Sequence, residues 1–293
     1  MAFCLTAAAK INLYLEVVGL RLDGYHDIAT VFLPLLEPTD RLTLTPAPDG
    51  MLTVHCDCPD VPPGPGNLCW RAATAFAEAA GLEAAWQVEL EKRIPIAAGL
   101  GGGSSDAAAV LRLLMQLYPG ALSVARLAQV AAALGADVPF FLEPRPALGQ
   151  GMGERLSPIP CALGLDVVLA NPRFPVSAAW AYGNRTRVPS PPAPPLAELL
   201  AALAAGDLEG VARLTYNALE YAVLDKFPLL PLLQEALLAA GCLCAHVSGS
   251  GPTLYGLCRT GAAPAIVARL RDDFGPALWL CATASTAVDR AGE

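Results

Sequence analysis

The stretch Lys92-Arg93-Ile94-Pro95-Ile96-Ala97-Ala98-Gly99-Leu100-Gly101-Gly102-Gly103-Ser104-Ser105-Asp106 decides how this chain is read, because an apolar run of helical character, residues 107–117, follows it at once. Four glycines in five positions let a backbone approach an anion closely. Two hydroxyls add donors, and the helix behind them aims its unbonded N–H groups and the positive end of its dipole at the same spot. Such a loop is a phosphate cradle, and a nucleoside triphosphate is the ligand it suits best. It is not a Walker A loop, which needs Lys-Ser or Lys-Thr after the glycines, nor a dinucleotide fingerprint, since Ser104 stands at the last glycine position. The plainer alternative is a turn that only caps the helix, with Ser104, Ser105 or Asp106 as the cap. A cap needs one glycine and not four.

Composition bounds the rest. The chain has 293 residues, 54% of them hydrophobic, enough for two domains with sizeable cores. Net charge is −8 with 16% charged residues, so no basic footprint for nucleic acid is expected and a polyanionic ligand must be held by local donors. Mean hydropathy is +0.46, yet charge, Pro or Gly interrupts every apolar stretch before about 18 residues, which argues against a membrane span. Residues 1–10 lack the basic start of a secretory signal. Nine cysteines, an odd number at irregular positions, point to reduced thiols in a cytoplasm. The one-residue gaps of Cys56-Asp57-Cys58 and Cys242-Leu243-Cys244 are too short for a zinc ribbon, so no protein-bound metal is expected.

Alternation of apolar and polar residues predicts strands at 10–18, 28–36, 41–45 and 52–56, and again at 86–90. Helices are expected at 67–80, 106–117 and 123–134, the last capped by Ser123. Residues 149–154 read as a second glycine-rich connector, and the domain change is placed near 155, giving domains 1–155 and 156–293. Beyond it come a strand at 166–170 and a Pro-rich surface loop at 188–195, expected to be extended and mobile. Helices at 196–205, 208–215 and 229–239 follow, then strands at 244–247 and 253–258 around the loop Ser248-Gly249-Ser250-Gly251-Pro252. A helix at 262–274 and a strand at 277–283 complete an α+β pattern.

Several motifs, Lys10-Ile11-Asn12-Leu13, Gly24-Tyr25-His26, the loop 95–105, Gly135-Ala136-Asp137-Val138-Pro139 and Ser248-Gly249-Ser250-Gly251, occur in the order that resembles the GHMP kinase superfamily. The resemblance covers nearly the whole chain. It implies a two-domain α+β fold, with a ribosomal-protein-S5-like N-terminal domain and a ferredoxin-like C-terminal domain. It also implies transfer of the ATP γ-phosphoryl group to an alcohol. The Ala-Lys-Ile-Asn-Leu and Asp-Gly-Tyr-His segments resemble the branch whose acceptor carries a cytidine diphosphate, in the non-mevalonate isoprenoid route. The rivals are another small-molecule kinase of the superfamily, of homoserine or mevalonate type, and a nucleotide-binding sensor that transfers nothing.

Carried over residue by residue, Lys10 and Asp137 fall on the family's catalytic pair. A hydroxyl attacking phosphorus gains from a carboxylate that takes its proton, and an ammonium steadies the charge that develops. The loop Pro95, Ile96, Ala97, Ala98, Gly99, Leu100, Gly101, Gly102, Gly103, Ser104 and Ser105 corresponds to the ATP-phosphate loop, with Mg²⁺ bridging the phosphates. Asn67 and Lys92 match positions at the adenosine end. Tyr25, His26 and Tyr182 match the cytidine pocket, where ring faces stack on the base, and Asn12 is expected to hold the acceptor. Taken singly, Lys10 is also a strand-end lysine, Asp137 a turn acid and Tyr182 an ordinary half-buried aromatic. His246, on an apolar strand, reads as a core or edge residue. A monomer or weak homodimer acting on a small molecule is the expected state.

Overall fold

The structure, a computed structural model, describes residues 2–162 and 164–287. Along the chain its elements are β1 (Phe3–Leu20), β2 (His26–Pro46), β3 (Thr53–Cys56), α1 (Leu68–Ala80), β4 (Trp86–Glu91), α2 (Gly102–Leu117), α3 (Val124–Leu134), α4 (Val138–Leu142), β5 (Ala147–Gly151), β6 (Arg155–Pro158) and β7 (Asp166–Asn171). They continue as α5 (Ala178–Asn184), α6 (Leu196–Ala205), α7 (Leu208–Leu214), β8 (Tyr216–Asn217), α8 (Glu220–Lys226), α9 (Leu229–Ala239), β9 (Cys244–Val247), β10 (Leu254–Cys258), α10 (Ala263–Phe274) and β11 (Trp279–Ala284). Two compact units emerge. The first holds residues up to Ala9, Thr39–Ile94 and Gly101–Pro144; the second holds Lys10–Pro38, Pro95–Leu100 and the chain from Arg145 onward.

In the first unit the end of β2 pairs antiparallel with β4, from Arg41 opposite Glu91 to Pro46 opposite Trp86. β3 joins the other edge of β4 in parallel. The alternation of β4, Trp86, Val88 and Leu90 buried and Gln87 and Glu89 exposed, is what a sheet with one covered face requires. Alanine-rich faces let α1 pack closely on α2, burying Ala72, Ala73, Phe76 and Ala77 on one side and Ala107 to Leu111 on the other. Asn67 starts α1 by accepting from the Cys69 amide at 2.8 Å, and Ser123 starts α3 by accepting from the Arg126 amide at 3.2 Å.

The second unit carries an antiparallel sheet in the order β11-β7-β10-β9. With α5 to α9 between β7 and β9, and α10 between β10 and β11, it follows the βαββαβ pattern of ferredoxin-like domains. Its core lies between this sheet and α8, α9 and α10, where Val168, Val247, Leu254, Leu233, Leu237 and Ile266 are buried together. Trp180, which the sequence left without a role, packs on the edge of this core beside Phe227, with the Lys226 ammonium 4.2 Å from its ring centre. In the same unit β1 pairs in parallel with β8, Tyr14 opposite Tyr216, and β5 links β2 to β6.

Several expectations need correction. Residues 28–36 and 41–45 belong to one strand, β2, because the polar residues between them do not end the extended backbone; Asp40 sits in it fully buried. The connector at 149–154 is the turn end of the β5–β6 hairpin, in which Gly149 faces Phe32 so closely that a Cβ would stand 2.7 Å from its ring. α2 begins at Gly102 and not at Asp106, so Gly102 and Gly103 open its first turn and Gly101 caps it. The short helices α4, α5 and α8 carried no readable period. The Pro-rich loop is met at two points: Tyr216 Oη donates to the Pro191 carbonyl at 3.2 Å, and Tyr14 Oη shares its one hydrogen between the Pro194 carbonyl at 3.1 Å and the Glu16 carboxylate at 2.9 Å.

Candidate functional site

In the first unit the site is the start of α2. Gly101 precedes it with φ +74, and the first backbone bond of the helix runs from the Ser105 amide to the Gly101 carbonyl at 2.9 Å. The amides of Gly102, Gly103 and Ser104 come before that bond and have no acceptor within the helix, as the first amides of any helix do not. They form the donor set an anion needs. Gly103 is exposed, Ser104 half-buried and Ser105 buried. Lys92 lies under this turn, its ammonium bonded to Asp40 and, at 2.7 Å, to Asp106. Burial works against the charge of Lys92, but the two carboxylates outweigh it and hold the ammonium above the ordinary lysine range. Burial pushes the Asp106 carboxyl up to about 7, the Lys92 charge opposing and the Asp40 charge adding.

Asn67 spends both polar side-chain atoms on the start of α1: Oδ1 accepts from Cys69, and Nδ2 donates to the Pro62 carbonyl at 3.0 Å. Asp137 is half-buried at the entrance of α4, directly after the turn in which the Val138 amide donates to the Gly135 carbonyl at 3.1 Å.

In the second unit Lys10 is 3% exposed on β1. Its ammonium donates to Asn12 Oδ1 at 2.6 Å and to the Gly99 carbonyl at 3.2 Å, and lies 5.6 Å from the centre of the Phe32 ring. Asn12 passes the chain on through Nδ2 to the Thr30 hydroxyl at 2.8 Å, which donates to the Tyr14 carbonyl at 2.7 Å. This orientation fixes the Asn12 oxygen toward Lys10. The segment Pro95–Leu100 sits against the same strand: the Lys10 amide donates to the Leu100 carbonyl at 3.0 Å, and the buried Ser248 hydroxyl donates to the Gly99 carbonyl at 2.9 Å. Ile96 and Ala97 are exposed, and Ala97 holds a φ of +50, a conformation that costs an alanine energy and suits a functional loop tip.

His26 and Tyr182 are brought together, their rings stacked at 5.3 Å with planes 22° apart. Burial and the nearby Arg185 charge lower the His26 pKa, which favours the neutral ring at pH 7. Tyr25 is 63% exposed at the turn between β1 and β2, where its amide donates to Asp23 at 3.1 Å. An accessible aromatic beside a stacked pair is a shape that accepts a flat base.

Comparison with known proteins then agrees with these elements. The pattern described as "GHMP kinases N terminal domain" matches residues 67–143, and "GHMP kinases C terminal" matches residues 199–276. A 4-diphosphocytidyl-2-C-methyl-D-erythritol kinase of Synechococcus sp. (strain JA-3-3Ab) is 44% identical over 87% of this chain and 85% of its own. One from Gloeobacter violaceus is 40% identical over 97% and 95%. The chain belongs to the GHMP kinases, in the 4-diphosphocytidyl-2-C-methyl-D-erythritol kinase family. A crystal structure of a 4-(cytidine 5'-diphospho)-2C-methyl-D-erythritol kinase, 36% identical, superposes with a TM-score of 0.79 over 97% of this chain and all of that one. A homoserine kinase from Cytophaga hutchinsonii, 20% identical, shares the fold at a TM-score of 0.76.

Among the described residues of this GHMP kinase no helix is long and apolar enough to cross a membrane. Three residues that shape the site escaped the sequence reading. Asp40, fully buried in β2, falls in the polar stretch between two expected strands. Asn217, fully buried, donates to the Val247 and Gly249 carbonyls at 2.7 and 2.8 Å and so holds the turn that follows β9. Glu220 accepts from the Val247 amide at 3.1 Å and faces His246 Nδ1 at 3.0 Å. That pairing explains the polar ring on an apolar strand and makes His246 a partner of β9 packing, as expected.

Proposed function

We propose that this GHMP kinase transfers the γ-phosphoryl group of ATP to the 2-hydroxyl of 4-diphosphocytidyl-2-C-methyl-D-erythritol, a step of the non-mevalonate isoprenoid route. The observation that carries the choice of acceptor is the stacked His26–Tyr182 pair beside exposed Tyr25. Homoserine and mevalonate carry no base for such a pocket to read.

In this reading Asp137 takes the proton of the acceptor hydroxyl, and Lys10 supplies positive charge to the transferring group. Lys10 is held for that task by Asn12 and the Gly99 carbonyl, while Asn12 orients the acceptor. The phosphates lie on the amides of Gly101, Gly102 and Gly103 and the hydroxyls of Ser104 and Ser105, with Pro95 to Leu100 shaping the approach. Asn67 and Lys92 are placed at the adenosine end as residues that shape it, the side chain of one capping α1 and that of the other held in an ion cluster.

Mg²⁺ would enter on the oxygens of the bound phosphates, since the loop's N–H groups are anion donors and offer a cation nothing. Among the described residues no three His, Cys, Asp or Glu side chains are grouped to hold a metal, and Mg²⁺ in phosphoryl transfer is carried largely by phosphate oxygens and water. It would supply charge neutralisation on the phosphates, which the loop amides position. We place the division between the two domains near residue 155, with the two matched family segments on either side of it, and read the protein as a cytoplasmic monomer or weak homodimer that binds neither nucleic acid nor membrane.

The test is ADP release with ATP and Mg²⁺, comparing the cytidyl acceptor with homoserine and mevalonate. Turnover with the cytidyl acceptor alone is expected. Turnover with another acceptor overturns the pocket reading, and silence with all three favours a sensor. Asp137→Asn is expected to lower the rate by at least about 1,000-fold with ATP binding nearly intact, as loss of an essential proton acceptor does; a variant that keeps most of its rate removes Asp137 from the chemistry.

A further inference from the structure

The phosphate loop leaves the first unit after Ile94 and returns to it at Gly101. The chain on both sides of this excursion is fastened to one buried cluster. Before the loop, one oxygen of Asp40 accepts from the backbone amides of Arg93 and Ile94 at 2.5 and 2.9 Å, and the other accepts from the Lys92 ammonium. After the loop, Asp106 at the start of the second turn of α2 accepts from the same ammonium at 2.7 Å, fourteen residues along the chain. Gly102 lies directly on this knot: a Cβ there would stand 3.3 Å from Lys92 Nζ and 2.9 Å from Ile94 Cγ2.

The knot is costly. Side-chain exposure is 7% for Lys92, 0% for Asp40 and 4% for Asp106, and Oδ1 of Asp106 is buried with no hydrogen-bond partner. Buried charges of this kind rarely add net stability against apolar residues of the same size. What the cluster does supply is geometry, because two carboxylates and one ammonium admit few arrangements.

We propose that Asp40, acting through Lys92 and Asp106, is a positioning residue for phosphoryl transfer, and that the three side chains tie the two ends of the phosphate loop so that the amides of Gly102, Gly103 and Ser104 converge before ATP arrives. This rests on reading that loop as the ATP-phosphate cradle. A preformed donor set costs no ordering when the anion binds.

Asp40→Asn, Lys92→Met and the milder Asp106→Asn test it, by ADP release at varied ATP and by hydrogen exchange of the nucleotide-free protein. Asp40→Asn and Lys92→Met should raise KM for ATP by about 10-fold or more, the size of a lost charged hydrogen bond, with KM for the acceptor moving less than about 2-fold. Exchange of the amides of residues 101–105 should quicken while that of α3 does not. Asp106→Asn, which keeps an oxygen for Lys92, should show the same pattern at a few-fold and serves if the other variants do not fold. Unchanged exchange and unchanged KM for ATP in a folded variant would overturn the proposal, as would equal shifts in both KM values with a general loss of melting temperature. If ATP fails to slow exchange at 101–105 in the wild type, the cradle reading is what fails, while quickened exchange in Asp40→Asn still reports the tie.

Discussion

The two halves of the glycine-rich loop are held by different means. Pro95–Leu100 is fastened through its carbonyls: those of Ala98, Gly99 and Leu100 accept from the Thr253 amide, the Ser248 hydroxyl and Lys10, and the Lys10 amide. Gly101–Asp106 is fastened by a side-chain ion cluster beneath its backbone. The difference teaches that anchoring and anion binding need not compete. A peptide held by its oxygen, or from below by a charge, still directs its N–H elsewhere, and phosphate is recognised by N–H.

The same Gly→Ala change should therefore break one half and spare the other. At Gly99, with φ +78, a Cβ would stand 2.0 Å from the Ser248 carbonyl oxygen, so Gly99→Ala should cost about 3 kcal/mol or more and remove most activity. A melting curve within a degree of wild type would refute this contact. Next in size is a pH effect on the second half. Asp106 has a folded pKa of about 7, above that of an unfolded carboxyl. Its contribution is thus present at about pH 4 and lost as pH rises through about 7, whereas Asp106→Asn has no such proton to lose. The melting temperature of wild type relative to Asp106→Asn should fall by a few degrees over that range and then level; a constant gap would show that Asp106 is not protonated in the fold. Ser248→Ala removes one hydrogen bond to the Gly99 carbonyl and should cost about 1 kcal/mol, read by denaturant titration. Smallest is Gly102→Ala, a helical position where the Cβ would press on Cγ2 of the buried Ile94 side chain at 2.9 Å rather than on backbone. A stability loss of about 1 kcal/mol with a few-fold rise in KM for ATP is expected; a collapse like that of Gly99→Ala would erase the distinction between the halves.

Much of this was legible because the signals were local. The caps Asn67 and Ser123, the helical periods of α6 and α9 and the glycine loop each announce themselves within a few residues, and the order of motifs named the superfamily. What stayed hidden was non-local or glycine-built. Asp40 lies 52 residues before Lys92, and no spacing rule joins it to Lys92 and Asp106. Asn67 matched a ligand position, yet its side chain is spent as a cap. The β5–β6 hairpin has too few β-branched residues to register as strands, and Pro38 hid the continuity of β2.

The strap at Pro191-Pro192-Ala193-Pro194-Pro195 carries a last consequence. Proline offers no N–H, so four of these five residues cannot fasten the strap by donating; they can only be grasped by their oxygens. Two phenols whose rings lie 5.8 Å apart face it: Tyr216 donates to it, and the single Tyr14 hydrogen is divided between the Pro194 carbonyl at 3.1 Å and the Glu16 carboxylate at 2.9 Å. They take the carbonyls of Pro191 and Pro194, three residues apart, which is one turn of a polyproline helix. Burial and neighbouring Glu16 raise the Tyr14 phenol above its ordinary range, so that donor keeps its hydrogen at any pH the fold survives. The pair works as a ruler: sliding the strap by one residue would turn both carbonyls off the phenols at once, and its register is thereby set through the oxygens of two prolines.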